Sequence, residues 1–121
     1  MKFSVDKQER YTLFRLEEDK LNSVVAPLLK SEMIVLNAEG VKNIIMDMSA
    51  IRFVDSSGLS SILITNRLCK NSGGSLVLTG VAENVVKLIK ISQLDTILTV
   101  VPTMQEAMDF VIMNEIEKDF E

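Results

Sequence analysis

The chain contains no histidine and no tryptophan among its 121 residues. Without an imidazole there is no His general base and no metal site of the usual His-containing kind. A single cysteine, Cys69, excludes an internal disulfide and a CxxC redox pair. Aromatics are few, five Phe and one Tyr, so the core must be mainly Leu, Ile, Val and Met. A basic excess is missing too. Lys and Arg total 13 against 17 Asp and Glu, a net charge of −4, and they are scattered. That argues against nucleic acid as a partner and against a polybasic membrane patch. No apolar run approaches the roughly 20 residues needed to span a bilayer, so membrane insertion is not expected. The start, Met1-Lys2-Phe3-Ser4-Val5-Asp6, meets charge too early for a signal peptide, and the cytoplasm is the expected compartment.

What is present fits an ordinary globular domain: 47% of residues are apolar and 25% charged. The apolar period changes along the chain. Phe3 to Lys7 and Tyr11 to Leu16 alternate and predict two strands forming a hairpin. Helical spacing over 23–38 follows, with Leu29, Met33 and Leu36 on one stripe, Asn22 or Ser23 as cap and Pro27 in the first turn. Asn43 to Met48 is mostly apolar on both faces and predicts a central strand. A helix over 58–71, a strand over 75–79, a helix over 82–92 and a short strand over 97–101 come next. Thr103 with Glu106 forms a capping-box pattern opening a last helix to about Asn114. The order ββαβαβαβα predicts one α/β domain over 1–114, with a mixed, mostly parallel sheet of five strands and four helices. A charged tail over 115–121 is expected to fray.

The strand-to-helix junction Asp55-Ser56-Ser57-Gly58-Leu59 carries the most chemistry. If Gly58 opens the helix, Ser57 is its cap, accepting from the Ser60 N–H, and Ser56 lies just outside with a free hydroxyl. Unpaired N–H groups and the helix dipole there favour an anion, including a phosphate on the serine itself. The plainer reading of the residues alone is that both serines merely shape the turn. A hydrolase nucleophile is excluded, because there is no histidine base and no Gly-x-Ser-x-Gly elbow. Asp47 and Asp55 make no metal site or carboxylate pair of any weight. No catalytic residue, metal or cofactor is expected.

The run Ile51-Arg52-Phe53-Val54-Asp55-Ser56-Ser57-Gly58-Leu59, after a hydrophobic strand holding Asp47, resembles the STAS domain, in particular the free-standing bacterial anti-sigma factor antagonists. Element order, length, the Gly73-Gly74 break and the Leu78-Thr79-Gly80 strand end extend the resemblance over nearly the whole chain. It implies a non-enzymatic partner switch, expected to be a monomer. Ser56 would be phosphorylated by an anti-sigma factor serine kinase of the histidine-kinase-like fold. The unmodified form would bind that kinase and free sigma, and a PP2C-type phosphatase would reset the modified form. Asp55, Ser57, Gly58, Leu59, Ser60, Asn22 and Ile64 are the implied partner-binding positions. The alternative role is a STAS subunit docked on the ATPase of a lipid-transport complex. Many antagonists carry an aspartate where this chain has Asn22.

Helical spacing from Gly58 places Leu59, Ile62, Leu63 and Cys69 towards the sheet, with Cys69 as packing. Ile64 and Leu68 lie nearly opposite, beside Ser60, Ser61 and Asn71. Either a neighbouring helix covers them or they form a small apolar patch beside the serines.

Overall fold

The computed structural model describes residues 1–120. Five strands form the main sheet: β1 (Phe3–Lys7), β2 (Thr12–Leu16), β4 (Ile44–Asp47), β6 (Leu76–Thr79) and β7 (Thr99–Val101), in the spatial order β1-β2-β4-β6-β7. β1 and β2 pair antiparallel, and the remaining pairs are parallel. The parallel pairs are joined by α1 (Ala26–Ala38), α2 (Ser56–Asn71) and α3 (Glu83–Ile91), and α4 (Met104–Lys118) follows β7. This is the mixed α/β sheet with four helices that the sequence predicts. Three short elements were not expected. Two-residue strands β3 (Lys20–Leu21) and β5 (Phe53–Val54) pair in parallel as a separate small sheet, and a 3-10 turn covers Leu94–Thr96.

Side-chain alternation explains the layers. In β4, Ile44 and Met46 join the core beneath α1, α2 and α3, while Ile45 faces α4. All four β4 residues are buried, as a central parallel strand requires. Phe14 and Leu16 of β2 point the same way as Met46, and the Phe14 ring stacks on Phe3 at a centroid distance of 5.2 Å. Burying each such side chain contributes about 1.5–3 kcal/mol. On the opposite face α4 packs over β4, β6 and β7 through Ala107 and Val111. One helix cannot cover five strands, so Ser4, Asp6 and Arg15 of β1 and β2 are exposed there.

Helix ends differ from the sequence reading, for a local reason at α1 and a tertiary one at α4. α1 begins at Ala26, because residues 22–25 form a turn in which Asn22 Oδ1 accepts from the Val24 and Val25 N–H groups. α4 opens as expected on Thr103, whose hydroxyl oxygen accepts from the Glu106 N–H at 3.1 Å. It then continues through Lys118, past the expected end at Asn114. The cause is tertiary: Glu115 accepts from Asn43 Nδ2 at 2.8 Å and pairs with Lys42 at 3.5 Å, while Lys118 donates to the Gly73 carbonyl. Those contacts hold the first part of the expected tail against the domain. Glu121, its last residue, lies outside the described residues.

Candidate phosphorylation and partner-binding site

The serine junction is built by β5, the start of α2 and the end of β3. Asp55 is the N-cap of α2, in extended conformation (φ −100°, ψ −173°). Its Oδ1 accepts from the Gly58 N–H at 2.9 Å, and its carbonyl accepts from the Leu59 N–H at 2.9 Å. Ser57 is therefore not the cap. The helix begins two residues earlier than the spacing implies, because the last extended residue, directly after β5, is the aspartate, and a carboxylate caps as well as a hydroxyl. Asp55 stays extended because its own N–H donates to the Leu21 carbonyl at 3.2 Å, continuing the β3–β5 pairing.

Ser56 and Ser57 consequently occupy the first turn of α2, Ser56 exposed and Ser57 half-buried. Asp55 is half-buried, with one carboxylate oxygen engaged by the cap. Gly58 is buried against β3: a Cβ there would lie 2.3 Å from the Leu21 carbonyl oxygen and 2.8 Å from Val54 Cγ1. Only glycine allows α2 to start this close to the small sheet. The chain thereby brings residues 21–22 beside 54–58, so Asn22, half-buried, neighbours the junction while serving the turn before α1.

The remaining expected positions divide by accessibility. Ser60 is exposed and Ile64 is half-buried, whereas Leu59 is only 8% exposed and packs in the core. Leu68 is half-buried against that core; its carbonyl accepts from Asn37 Nδ2 of α1 at 3.4 Å. Ser61 does not belong to the outer side. It is fully buried, and its hydroxyl donates to the Gly58 carbonyl at 2.6 Å. Thr65 is likewise fully buried, with its hydroxyl donating to the Ser61 carbonyl at 2.9 Å. Back-bonding of this kind lets a helix bury small polar residues without leaving their hydroxyls unpaired. Cys69 is buried, and burial pushes its thiol pKa up to about 12, so it packs and does not react.

One surface residue was missed. Phe53 is 49% exposed, two residues before the cap. Period-two alternation with buried Val54 would have turned it outward, but a two-residue strand is too short to show a period. Val24 and Leu28 of the first-helix region are also exposed apolar side chains.

The strand end that launches the junction is held by Asp47. Its Oδ2 accepts from Arg15 Nε at 2.9 Å across the β2–β4 pair, and its Oδ1 accepts from the Ser49 N–H at 2.9 Å. Burial opposes the charge on Asp47, but the hydrogen bonds from Ser49 and the Arg15 guanidinium outweigh it, holding the carboxyl below its ordinary range. The following loop is fastened on two sides. The Arg52 N–H donates to the Asp19 carbonyl at 2.7 Å, and Asn84 Nδ2 of α3 donates to the Arg52 carbonyl at 3.0 Å.

Together these features define a small α/β domain that presents a serine-bearing helix start fastened to the small β3–β5 sheet. The sequence pattern of the STAS domain matches residues 2–107, and the chain belongs to the STAS family. Among solved structures, a candidate anti-sigma factor antagonist of Thermotoga maritima is similar at 26% identity and TM-score 0.80, over 90% of this chain and 93% of that one. The anti-sigma factor antagonist SpoIIAA in its unphosphorylated form matches at 21% identity and TM-score 0.71, over 91% and 97% of the two chains. The Bacillus cell fate determinant SpoIIAA in its phosphorylated form matches at 22% identity and TM-score 0.69, over 91% and 99%. Among the described residues no helix is long and apolar enough to cross a membrane.

Proposed function

We propose that this protein is an anti-sigma factor antagonist that switches partners by phosphorylation of Ser56. The observation that carries the reading is the exposure of the Ser56 side chain in the first turn of α2, beside the Asp55 cap, while Ser57 is half-buried. The likeness to SpoIIAA, solved in unphosphorylated and phosphorylated forms, supports it. In this reading the unmodified protein binds an anti-sigma factor that is a serine kinase and so releases sigma. The phosphorylated protein lets go, and a PP2C-type phosphatase restores it. The chain itself catalyses nothing, and its place of work is the cytoplasm.

The physics of the junction sets where the switch acts. A phosphoserine carries about −1.5 to −2 charge at pH 7. Near the N-terminus of α2 that charge is favourable by roughly 0.3–1 kcal/mol, with Asp55 partly opposing it. The fold therefore tolerates the phosphate. At a contact surface the same charge, placed against an unmatched group, costs several kcal/mol. Around 2.8 kcal/mol already weakens a complex about a hundredfold. Asp55, Ser57, Ser60, Asn22 and Ile64 surround that contact, whereas Gly58 and Leu59 build the turn beneath it.

The test is incubation with ATP and a candidate anti-sigma factor serine kinase, followed by mass spectrometry of the peptide spanning 53–67. One phosphate on Ser56, lost in Ser56→Ala and retained in Ser57→Ala, is the expected result. Undiminished incorporation into Ser56→Ala overturns the site. Association with an ATPase subunit of a lipid-transport complex, without phosphorylation, would overturn the switch.

A further inference from the structure

The connections on the carboxyl ends of β6 and β7 leave in opposite directions. β6 is followed by α3, on the three-helix face of the sheet, and β7 by α4, on the other face. A parallel sheet opens a crevice where successive connections diverge in this way, and such crevices are where open α/β sheets bind ligands.

A crevice of about 400 Å³ occupies this position, lined by Gly80, Val81, Val86, Val100, Val101 and Pro102. Its size lies within the range of small-molecule sites. No lining side chain carries a charge or a hydrogen-bonding group, and Pro102 lacks even an N–H. Both sides of the sheet contribute. Val100 belongs to the core under the three helices, and Val101 packs with the α4 layer. The four valines are half-buried, so they present apolar surface to the opening.

Gly80 keeps the rim in shape. Its φ of +69° disfavours any side chain, and a Cβ there would press on Ser49 and on Asp47 Oδ1 at 3.0–3.1 Å. The glycine thus sits between the crevice and the Arg15–Asp47–Ser49 hydrogen bonds.

We propose that this crevice is a binding site for a small uncharged aliphatic molecule. The lining offers an occupant dispersion and the release of water from valine surface, and no side-chain group that would compensate a buried charge. A free small molecule fits the volume better than one side chain of a docked protein. The site is separate from the serine junction and stands whether or not Ser56 is a phosphoacceptor.

The probe is 3-methylbutan-1-ol, titrated into the full chain while valine methyl signals are followed by two-dimensional NMR, with glycerol as a polar comparator. The expected result is saturable shifts confined to Val81, Val86, Val100 and Val101, with a dissociation constant on the order of 1 mM for a ligand of this size. Glycerol should leave those signals in place. Val86→Phe, which fills the crevice, should weaken binding about tenfold or more, a difference of about 1.4 kcal/mol. Val81→Leu serves the same purpose if Val86→Phe melts early. Shifts that grow without saturating, equal shifts with glycerol, or unchanged affinity in a folded filled variant would overturn the proposal.

Discussion

Gly58→Ala is the sharpest test of how the serine junction is built. In an ordinary helix this change is favourable by up to about 1 kcal/mol, because alanine has the better helix propensity. Here the added Cβ would lie 2.3 Å from the Leu21 carbonyl oxygen, 2.8 Å from Val54 Cγ1 and 3.0 Å from Leu21 Cγ. The first of these is backbone, held in place by the Asp55 N–H and by the β3–β5 pair. To restore even 3.0 Å, the start of α2 must move from β3 by about 0.7 Å. That movement strains the Asp55 side-chain bond to the Gly58 N–H and the Asp55 N–H bond to Leu21 together. Overpacking of this kind costs typically 1–3 kcal/mol, and loss of a cap adds about 1. After the propensity gain, a net destabilisation of about 1–3 kcal/mol remains. For a domain of this length the melting temperature should fall by roughly 4 °C per kcal/mol. Urea unfolding at constant m-value, paired with a thermal melt, measures it. A Gly58→Ala protein as stable as the parent, or more stable, would refute the close approach of α2 to β3 and the account of the junction that rests on it.

Other consequences follow from the same contacts. Asp55→Ala should cost about 0.5–2 kcal/mol by uncapping α2, and Asp55→Asn much less, since Asn caps comparably; equal losses in urea unfolding would contradict the cap assignment. Asp47 and Glu115 both have carboxyl pKa values held below their ordinary 3.8 and 4.5. Burial opposes the shift at Asp47 but loses to Ser49 and Arg15, and at Glu115 the hydrogen bond from Asn43 leads. A depressed folded pKa contributes stability that is present above the unfolded value and lost as pH falls through the folded one. Unfolding free energy should therefore decline below about pH 4.5, and Asp47→Asn should flatten part of that decline in a urea series from pH 7 to 3. Cys69, with its thiol pKa near 12, should resist iodoacetamide at pH 8 in the native protein and react within minutes in urea; rapid native labelling would place it at the surface.

The sequence by itself determined the order of elements, the family and the serine junction, since each rests on local patterning. β4, apolar on both faces up to Asp47 at its end, had to be central, because a strand with apolar side chains on both faces is buried on both sides. Thr103 and Glu106 marked the start of α4 correctly, because a capping pattern spans one helical turn and needs no distant partner. Tertiary structure decided what depends on segments far apart in the chain. β3 and β5 are two residues each, too short for any period, and exist because they pair with each other. That pairing kept Asp55 extended and made it the cap in place of Ser57, and it brought the Leu21 carbonyl so near α2 that residue 58 must be glycine. Helical spacing placed Ser61 on the outer side beside Ile64 and Leu68, yet it is buried, with its hydroxyl satisfied within its own helix. Glu115 extended α4 past its expected end only because Asn43 and Lys42, on the loop and strand edge below, were there to receive it. A one-dimensional pattern carries period and composition; close approach of two backbones is a property of the folded chain alone.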